Sequence, residues 1–229
     1  MKKDNILLVE GSNDKAFFEK ICKKHNLNYL VKVSTPTDLV KSSSGGFNSK
    51  QGVLNSLKTL LPLLEDEDSA INKVAIILDA DITNDNNGGF SETISQIENK
   101  ASEHNYKKHS RSKSGIELQH SDNQMNSLGV WVMPDNKSDG TIEDWIKLNI
   151  IDSEKELFSH ACKIVKELPL CKFSNQSIPK AEIATWLAWQ NQPGRTIAYT
   201  LKDSNELLNI ENSNYTKLIE WLTTFFKDE

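Results

Sequence analysis

Four short apolar runs punctuate the first 140 residues, and three of them stop at acidic turns. Run 6–9 ends at Glu10-Gly11, run 74–78 at Asp79-Ala80-Asp81, and run 130–133 at Pro134-Asp135-Asn136; run 29–34 is the fourth. Runs this short, apolar rather than alternating, predict strands buried on both faces. Helical patterns lie between them. Ser12 or Asn13 can cap a helix carrying Ala16, Phe17 and Ile21, while Val53, Leu54, Leu57, Leu60, Leu61 and Leu64 share one side of a second helix. A third helix is predicted over 92–103, whereas 107–126 has no clear period. Strand–helix alternation with apolar strands predicts an α/β fold, a mostly parallel four-stranded sheet flanked by helices.

Past Thr141 the pattern is helical only, over 143–148, 154–168, 181–190 and 215–226. The expected organisation is an α/β domain over 1–140 and a helical C-terminal portion over 141–229 that contributes to the same site. Trp186 and Trp189 are expected to pack that helical portion, the alternative for Trp189 being a surface position where it could stack a base.

Charge narrows the function classes. The chain has 27 Lys+Arg against 32 Asp+Glu, a net −5, and its arginines are Arg111 and Arg195 alone. That balance argues against gripping nucleic acid over a broad basic face, but not against cutting it. Lys107, Lys108, Arg111 and Lys113 form the dense basic cluster and are the candidates for a clamp on a phosphate backbone. The first apolar run has four residues, where a signal peptide needs about 7–15. No stretch reaches the roughly 18 apolar residues of a membrane span, and Cys22, Cys162 and Cys171 make no disulfide framework. A cytoplasmic protein without membrane association is expected.

In a parallel sheet, ligands bind beyond the carboxyl ends of the strands. The strand ends here deliver Glu10 with Asp14 a turn later, then Asp79 and Asp81, then Asp135 followed by Glu143 and Asp144. A single acid at a strand end is ordinarily a turn or cap residue. Several in one cleft repel, by about 4 kcal/mol for a pair about 4 Å apart at an effective dielectric near 20. Glu10, Asp14, Asp79 and Asp81 together therefore call for hard cations. Two Mg²⁺ or Mn²⁺ ions would balance four carboxylates, as in phosphoryl-transfer sites.

Leu7-Leu8-Val9-Glu10-Gly11-Ser12-Asn13-Asp14, followed by Phe17-Phe18, resembles the first motif of Toprim (Rossmann-like) domains. Residues 74–81, VAIILDAD, resemble the second, and Gly45-Gly46 lies in the loop between them. The chain is most similar to small stand-alone Toprim proteins related to the overcoming-lysogenization-defect (OLD) nucleases. It shares with them Met133-Pro134-Asp135-Asn136, the Gly140…Glu143-Asp144 segment, Lys180-Ala181, Trp186-Leu187-Ala188 and Pro193-Gly194. The resemblance implies a metal-dependent nuclease cutting DNA or RNA. Glu10, Asp14, Asp79 and Asp81 would be metal ligands, with Glu143 completing the second metal position. Lys180 would meet the phosphate. In topoisomerase relatives the counterpart of Glu10 is discussed as a proton-transfer group, so Glu10, Asp79, Asp81 and Lys180 are the implied catalytic set. Thr83 stands where topoisomerases carry a third Asp, which points to the nuclease branch. The resemblance also suggests an ABC-type ATPase partner and a role in phage defence; a homo-oligomer is compatible with it.

Two alternatives stay open. Asp79-Ala80-Asp81-Ile82-Thr83 matches the Asp-x-Asp-x-Thr opening of haloacid-dehalogenase-type phosphatases, with Asp79 as nucleophile and Asp81 as acid/base. The other is a non-catalytic Toprim-like regulatory or binding subunit of an ATPase complex. The chain itself has no Gly-x-x-x-x-Gly-Lys-Ser/Thr loop, because Gly45 to Lys50 has the wrong spacing.

Overall fold

A computed structural model describes residues 3–39, 47–66, 68–83, 88–108, 115–122, 124–204 and 206–227. Its centre is a six-stranded, mostly parallel sheet in the order β2-β1-β3-β6-β5-β4. The strands are β1 (Asp4–Leu8), β2 (Lys32–Ser34), β3 (Ile71–Asp79), β4 (Tyr106–Lys108), β5 (Ile116–His120) and β6 (Leu128–Met133). β2, β1, β3 and β6 run parallel, while β5 is antiparallel to both β6 and β4.

The four-stranded expectation is corrected to six. The added strands β4 and β5 fall in the stretch where the sequence shows no clear period. β5 buries only Ile116 and Leu118 and β4 only Tyr106, too few alternations to read as strands. β2 is also shorter than run 29–34, because the N–H groups of Leu30 and Val31 turn back to the Leu27 carbonyl at 2.9 and 3.0 Å.

The buried strands alternate their side chains between two cores, as the two-residue period requires. Leu7, Val9, Ala75, Ile77, Trp131 and Met133 face one core; Ile6, Leu8, Val74, Ile76, Leu78, Val130 and Val132 face the other. The second core is covered by α3 (Lys50–Glu65) and α4 (Gly89–Ser102), whose leucines and isoleucines recur at helical spacing. The first is covered by α1 (Ser12–Lys24) together with the C-terminal helices. A one-turn helix, α2 (Pro36–Leu39), follows β2.

The C-terminal helices are α5 (Ile142–Leu148), α6 (Lys155–Lys166), α7 (Ile178–Ala188) and α8 (Ser213–Phe226). Trp145, Trp186 and Trp221 from this half are fully buried against the sheet's first face, so residues 141 onward share a core with β1, β3 and β6. Trp189 departs from expectation. It is 40% exposed, with its ring beside that of His160, because α7 ends at Ala188 and the chain turns there. Among the described residues no helix is long and apolar enough to cross a membrane.

Candidate active site

The chain runs from β1 to β2 on one side, then returns to place β3 on the other side of β1. That reversal opens a crevice beyond the carboxyl ends of β1 and β3, the place where open α/β sheets bind ligands. Glu10 follows β1 and Asp79 ends β3, so the two meet across it. Glu10 Oε1 accepts the backbone N–H of Asp79 at 2.9 Å. Asp79 Oδ1 in turn accepts the N–H of Ile142, the first residue of α5, at 2.8 Å. Asp14, one turn into α1, accepts the Gly11 N–H through Oδ2 at 3.0 Å. Asp14 therefore does serve as a cap residue, yet only one of its oxygens is used. In all three carboxylates a single oxygen is fixed by backbone, and the second accepts no hydrogen bond from the described residues.

Glu143 reaches the same crevice because α5 is pinned to β3. The backbones of Asp81 and Gly140 pair through two hydrogen bonds of 2.9 and 3.0 Å. Gly140 has φ +140, a conformation that L side chains rarely adopt, and an added Cβ would lie 2.9 Å from Asp144 Oδ2. Asp144 closes the cap of α5 on Thr141 at 3.0 Å. Glu143 itself is buried and faces Lys180 on α7, whose Nζ lies 4.0 Å from Glu143 Oε1 with its side chain 76% exposed.

Electrostatic frustration is the mark of this crevice. Burial pushes Glu10 up to about 7; the Asp79 N–H and Lys50 oppose that rise, and Asp81 and Asp14 add to it. Burial pushes Asp14 up to about 6, against the Gly11 N–H, with Glu143 repelling it and Lys180 attracting it. Asp79 is raised well above the carboxylate range, first by burial and then by Glu10, Glu143 and Asp14. Removing water from charged groups and crowding like charges both favour the protonated form.

Glu10, Asp14 and Asp79 border a void of about 10 Å³ whose remaining wall is apolar core, including Phe18, Ile77, Met133 and Ile142. Beside it opens a cavity of about 440 Å³ bordered by Asp14, Glu143, Lys180, Arg195 and Thr196, with an apolar side formed by Ile183 and Leu187. Among the described residues no three His, Cys, Asp or Glu side chains are drawn in closely enough to hold a metal ion as they stand. Their chemistry nevertheless fits a hard divalent cation. The donors are carboxylate oxygens, Glu10, Asp14 and Asp79 each have an oxygen to spare, and Lys50 and Lys180 offset the repulsion among them only in part.

Asp81 stands apart from that set. It is exposed, has φ +64, and is ion-paired with Lys50. Lys50 also donates to the Ala80 carbonyl at 3.3 Å and to Thr93 Oγ1 at 3.2 Å. In sequence, Lys50 reads only as part of an ill-spaced glycine loop. It opens α3 immediately after the capping Ser49, where a cation opposes the helix dipole. That misfit is the signal by which it could be found. Arg195, likewise missed as a site residue, forms no ion pair among the described residues.

Other acids have local duties. Asp135 holds the turn after β6 by accepting the N–H groups of Lys137 and Ser138 at 3.1 and 2.7 Å. Lys107 and Lys108 lie on β4, and Lys108 pairs with Glu98 at 3.0 Å. The register runs Lys108, Leu118, Leu128, Val74 across the sheet. Val74 is five residues before Asp79, so this row lies about 16 Å from the carboxyl edge along the strands. The structure does not bring Lys107 and Lys108 to the acidic crevice. Arg111 and Lys113 lie outside the described residues.

A family model described as "Protein of unknown function (DUF3226)" matches residues 4–227. The chain belongs to the DUF3226 family. No curated protein and no solved structure matches it. The matched span takes in both walls of the crevice, from Glu10 through Lys50 and Asp79 to Glu143, Lys180 and Arg195.

Proposed function

We propose that this DUF3226 chain is a Mg²⁺- or Mn²⁺-dependent nuclease of Toprim type, hydrolysing phosphodiester bonds of DNA or RNA. One observation carries the reading: Glu10, Asp14 and Asp79 converge at the switch point of the sheet, each with one backbone-fixed oxygen and one to spare, and all pushed upward by burial. Such a set is costly when empty and relieved by a divalent cation. Glu10, Asp14, Asp79 and Glu143 are the residues to hold it. When bound, the ion supplies positive charge to phosphate oxygens and makes water a better nucleophile.

The chain's own groups provide the rest. On the resemblance, Glu10 is the group for proton transfer at the attacking or leaving oxygen, through the oxygen that the Asp79 N–H leaves free. Lys180 and Arg195 supply cationic charge on the cavity beside the carboxylates, where a phosphate backbone must pass an otherwise acidic surface. On the same cavity, the exposed Ala184 and the half-buried Ile197 give the sugar or base an apolar surface.

The ion pair of Asp81 with Lys50 weighs against the phosphatase alternative, in which Asp81 must carry a mobile proton. On resemblance alone, the proposal extends to an ABC-type ATPase partner and a defence role in the cytoplasm. The test is the pair Glu10→Ala and Asp79→Ala. Each should abolish Mn²⁺-dependent cleavage while circular dichroism stays native; full activity in either variant contradicts the reading.

A further inference from the structure

An ammonium group has three N–H bonds to give, and at Lys50 three oxygens receive them. They are the Asp81 carboxylate, the Ala80 carbonyl at 3.3 Å and the Thr93 hydroxyl at 3.2 Å. Thr93 is buried and its hydroxyl donates a hydrogen bond to the Ala80 carbonyl at 3.2 Å, so its oxygen is oriented to accept from the lysine. The Lys50 side chain is only 18% exposed, and its charge also bears on Glu10. A carboxylate, a carbonyl and a hydroxyl make the oxygen set that a hard cation takes. Here a side chain of the protein already fills it.

The other half of the crevice is small. The void that Glu10, Asp14 and Asp79 share with a mostly apolar wall, Phe18, Ile77 and Met133 among it, measures about 10 Å³, roughly one water-sized sphere. Two ions of a phosphoryl-transfer pair sit about 3.5–4 Å apart, and the second would have to share the Asp81 end with a saturated ammonium group.

We propose that Lys50 is a resident cation that stands in for a second metal ion, so that the site takes one divalent ion, and that Asp81 anchors Lys50 instead of ligating metal. This rests on the metal-dependent reading above and sharpens it. Expelling Lys50 would break three charge-assisted hydrogen bonds, one of them to a carboxylate, for the sake of one ion. With Lys50 in place, part of the positive charge that a two-ion site supplies is covalently attached and independent of metal concentration.

The measurement is Mn²⁺ binding to the full chain at neutral pH, by calorimetry and by the paramagnetic resonance of free Mn²⁺. Wild type should bind one ion. Lys50→Met, which keeps the unbranched stem as far as Cε and removes the ammonium group, should bind a second in the vacated cradle. Asp81→Asn should keep the wild-type affinity within about threefold, whereas Asp79→Asn should lose it by about a hundredfold. Two ions on wild type, a Lys50→Met variant that still takes one, or an Asp81→Asn loss matching that of Asp79→Asn overturns the proposal. No ion on wild type overturns the metal reading along with it. Melting curves establish that each variant folds, and wild type with Asp81→Asn decides the matter should Lys50→Met fail to do so.

Discussion

Glu10 and Asp79, 69 residues apart in sequence, are joined by a 2.9 Å hydrogen bond from the Asp79 N–H to Glu10 Oε1. It holds two carboxyl groups side by side in a place where both resist ionisation. Glu10 rises from 4.5 to about 7 and Asp14 from 3.8 to about 6, so the folded chain binds these protons more tightly than the unfolded chain. Where the folded state holds more protons, stability falls as pH rises. This contribution is intact below the ordinary carboxylate values and is lost progressively up to about pH 7, above which the metal-free protein gains nothing back. Glu10→Gln can still accept the Asp79 N–H but cannot ionise. Its melting temperature should therefore climb relative to wild type across that window and level off beyond it. A parallel pH dependence in the two proteins contradicts the assignment.

Asp79→Asn should separate stability from function. The amide can keep the Ile142 hydrogen bond while removing the charge most opposed by burial and by Glu10. Metal-free stability should rise by about 1 kcal/mol, read from denaturant midpoints. Added Mn²⁺ should stabilise wild type but not the variant.

Lys180 and Arg195 should be felt in binding before chemistry. Each Lys180→Ala or Arg195→Ala change should weaken binding of a short oligonucleotide, measured by anisotropy with Ca²⁺ in place of the active ion. Each should also lower the slope of log affinity against log salt by about 1. Lys107→Ala and Lys108→Ala, on the remote row of β4, should leave that slope unchanged.

Gly140 is the hinge of the α5 attachment. Its φ of +140 and the 2.9 Å separation between Asp144 Oδ2 and the point a Cβ would occupy leave no place for a side chain. Gly140→Ala should cost about 2 kcal/mol of stability. It should also weaken Mn²⁺ binding, because the backbone pairing of Gly140 with Asp81 brings Ile142 and Glu143 to the crevice. Unchanged metal affinity would show that α5 is placed by its core contacts alone.

The parallel centre of the sheet is legible in the sequence because β1, β3 and β6 are apolar on both faces and stop abruptly at acids. β4 and β5 are not, since an edge hairpin with three buried residues leaves almost no periodic signal. The carboxylates Glu10, Asp14 and Asp79 can be grouped from strand ends because parallel strands finish on one edge. The partition between Asp79 and Asp81 cannot. Two residues of one Asp-x-Asp differ because Asp81 takes a left-handed conformation and meets Lys50, a contact across 31 residues that no local pattern encodes. Arg195 is hidden for a similar reason: it joins the cavity through the fold of the segment after α7, not through any spacing.

The most direct measurement is incubation of end-labelled single- and double-stranded DNA and RNA with wild type and Asp79→Asn, each with Mn²⁺ or with chelator. Wild type should cleave at least one substrate with Mn²⁺ and none with chelator, and Asp79→Asn should cleave none under either condition. Cleavage that survives chelation, or that Asp79→Asn performs as well as wild type, would contradict the proposed activity, as would four substrates left intact by a protein that binds Mn²⁺.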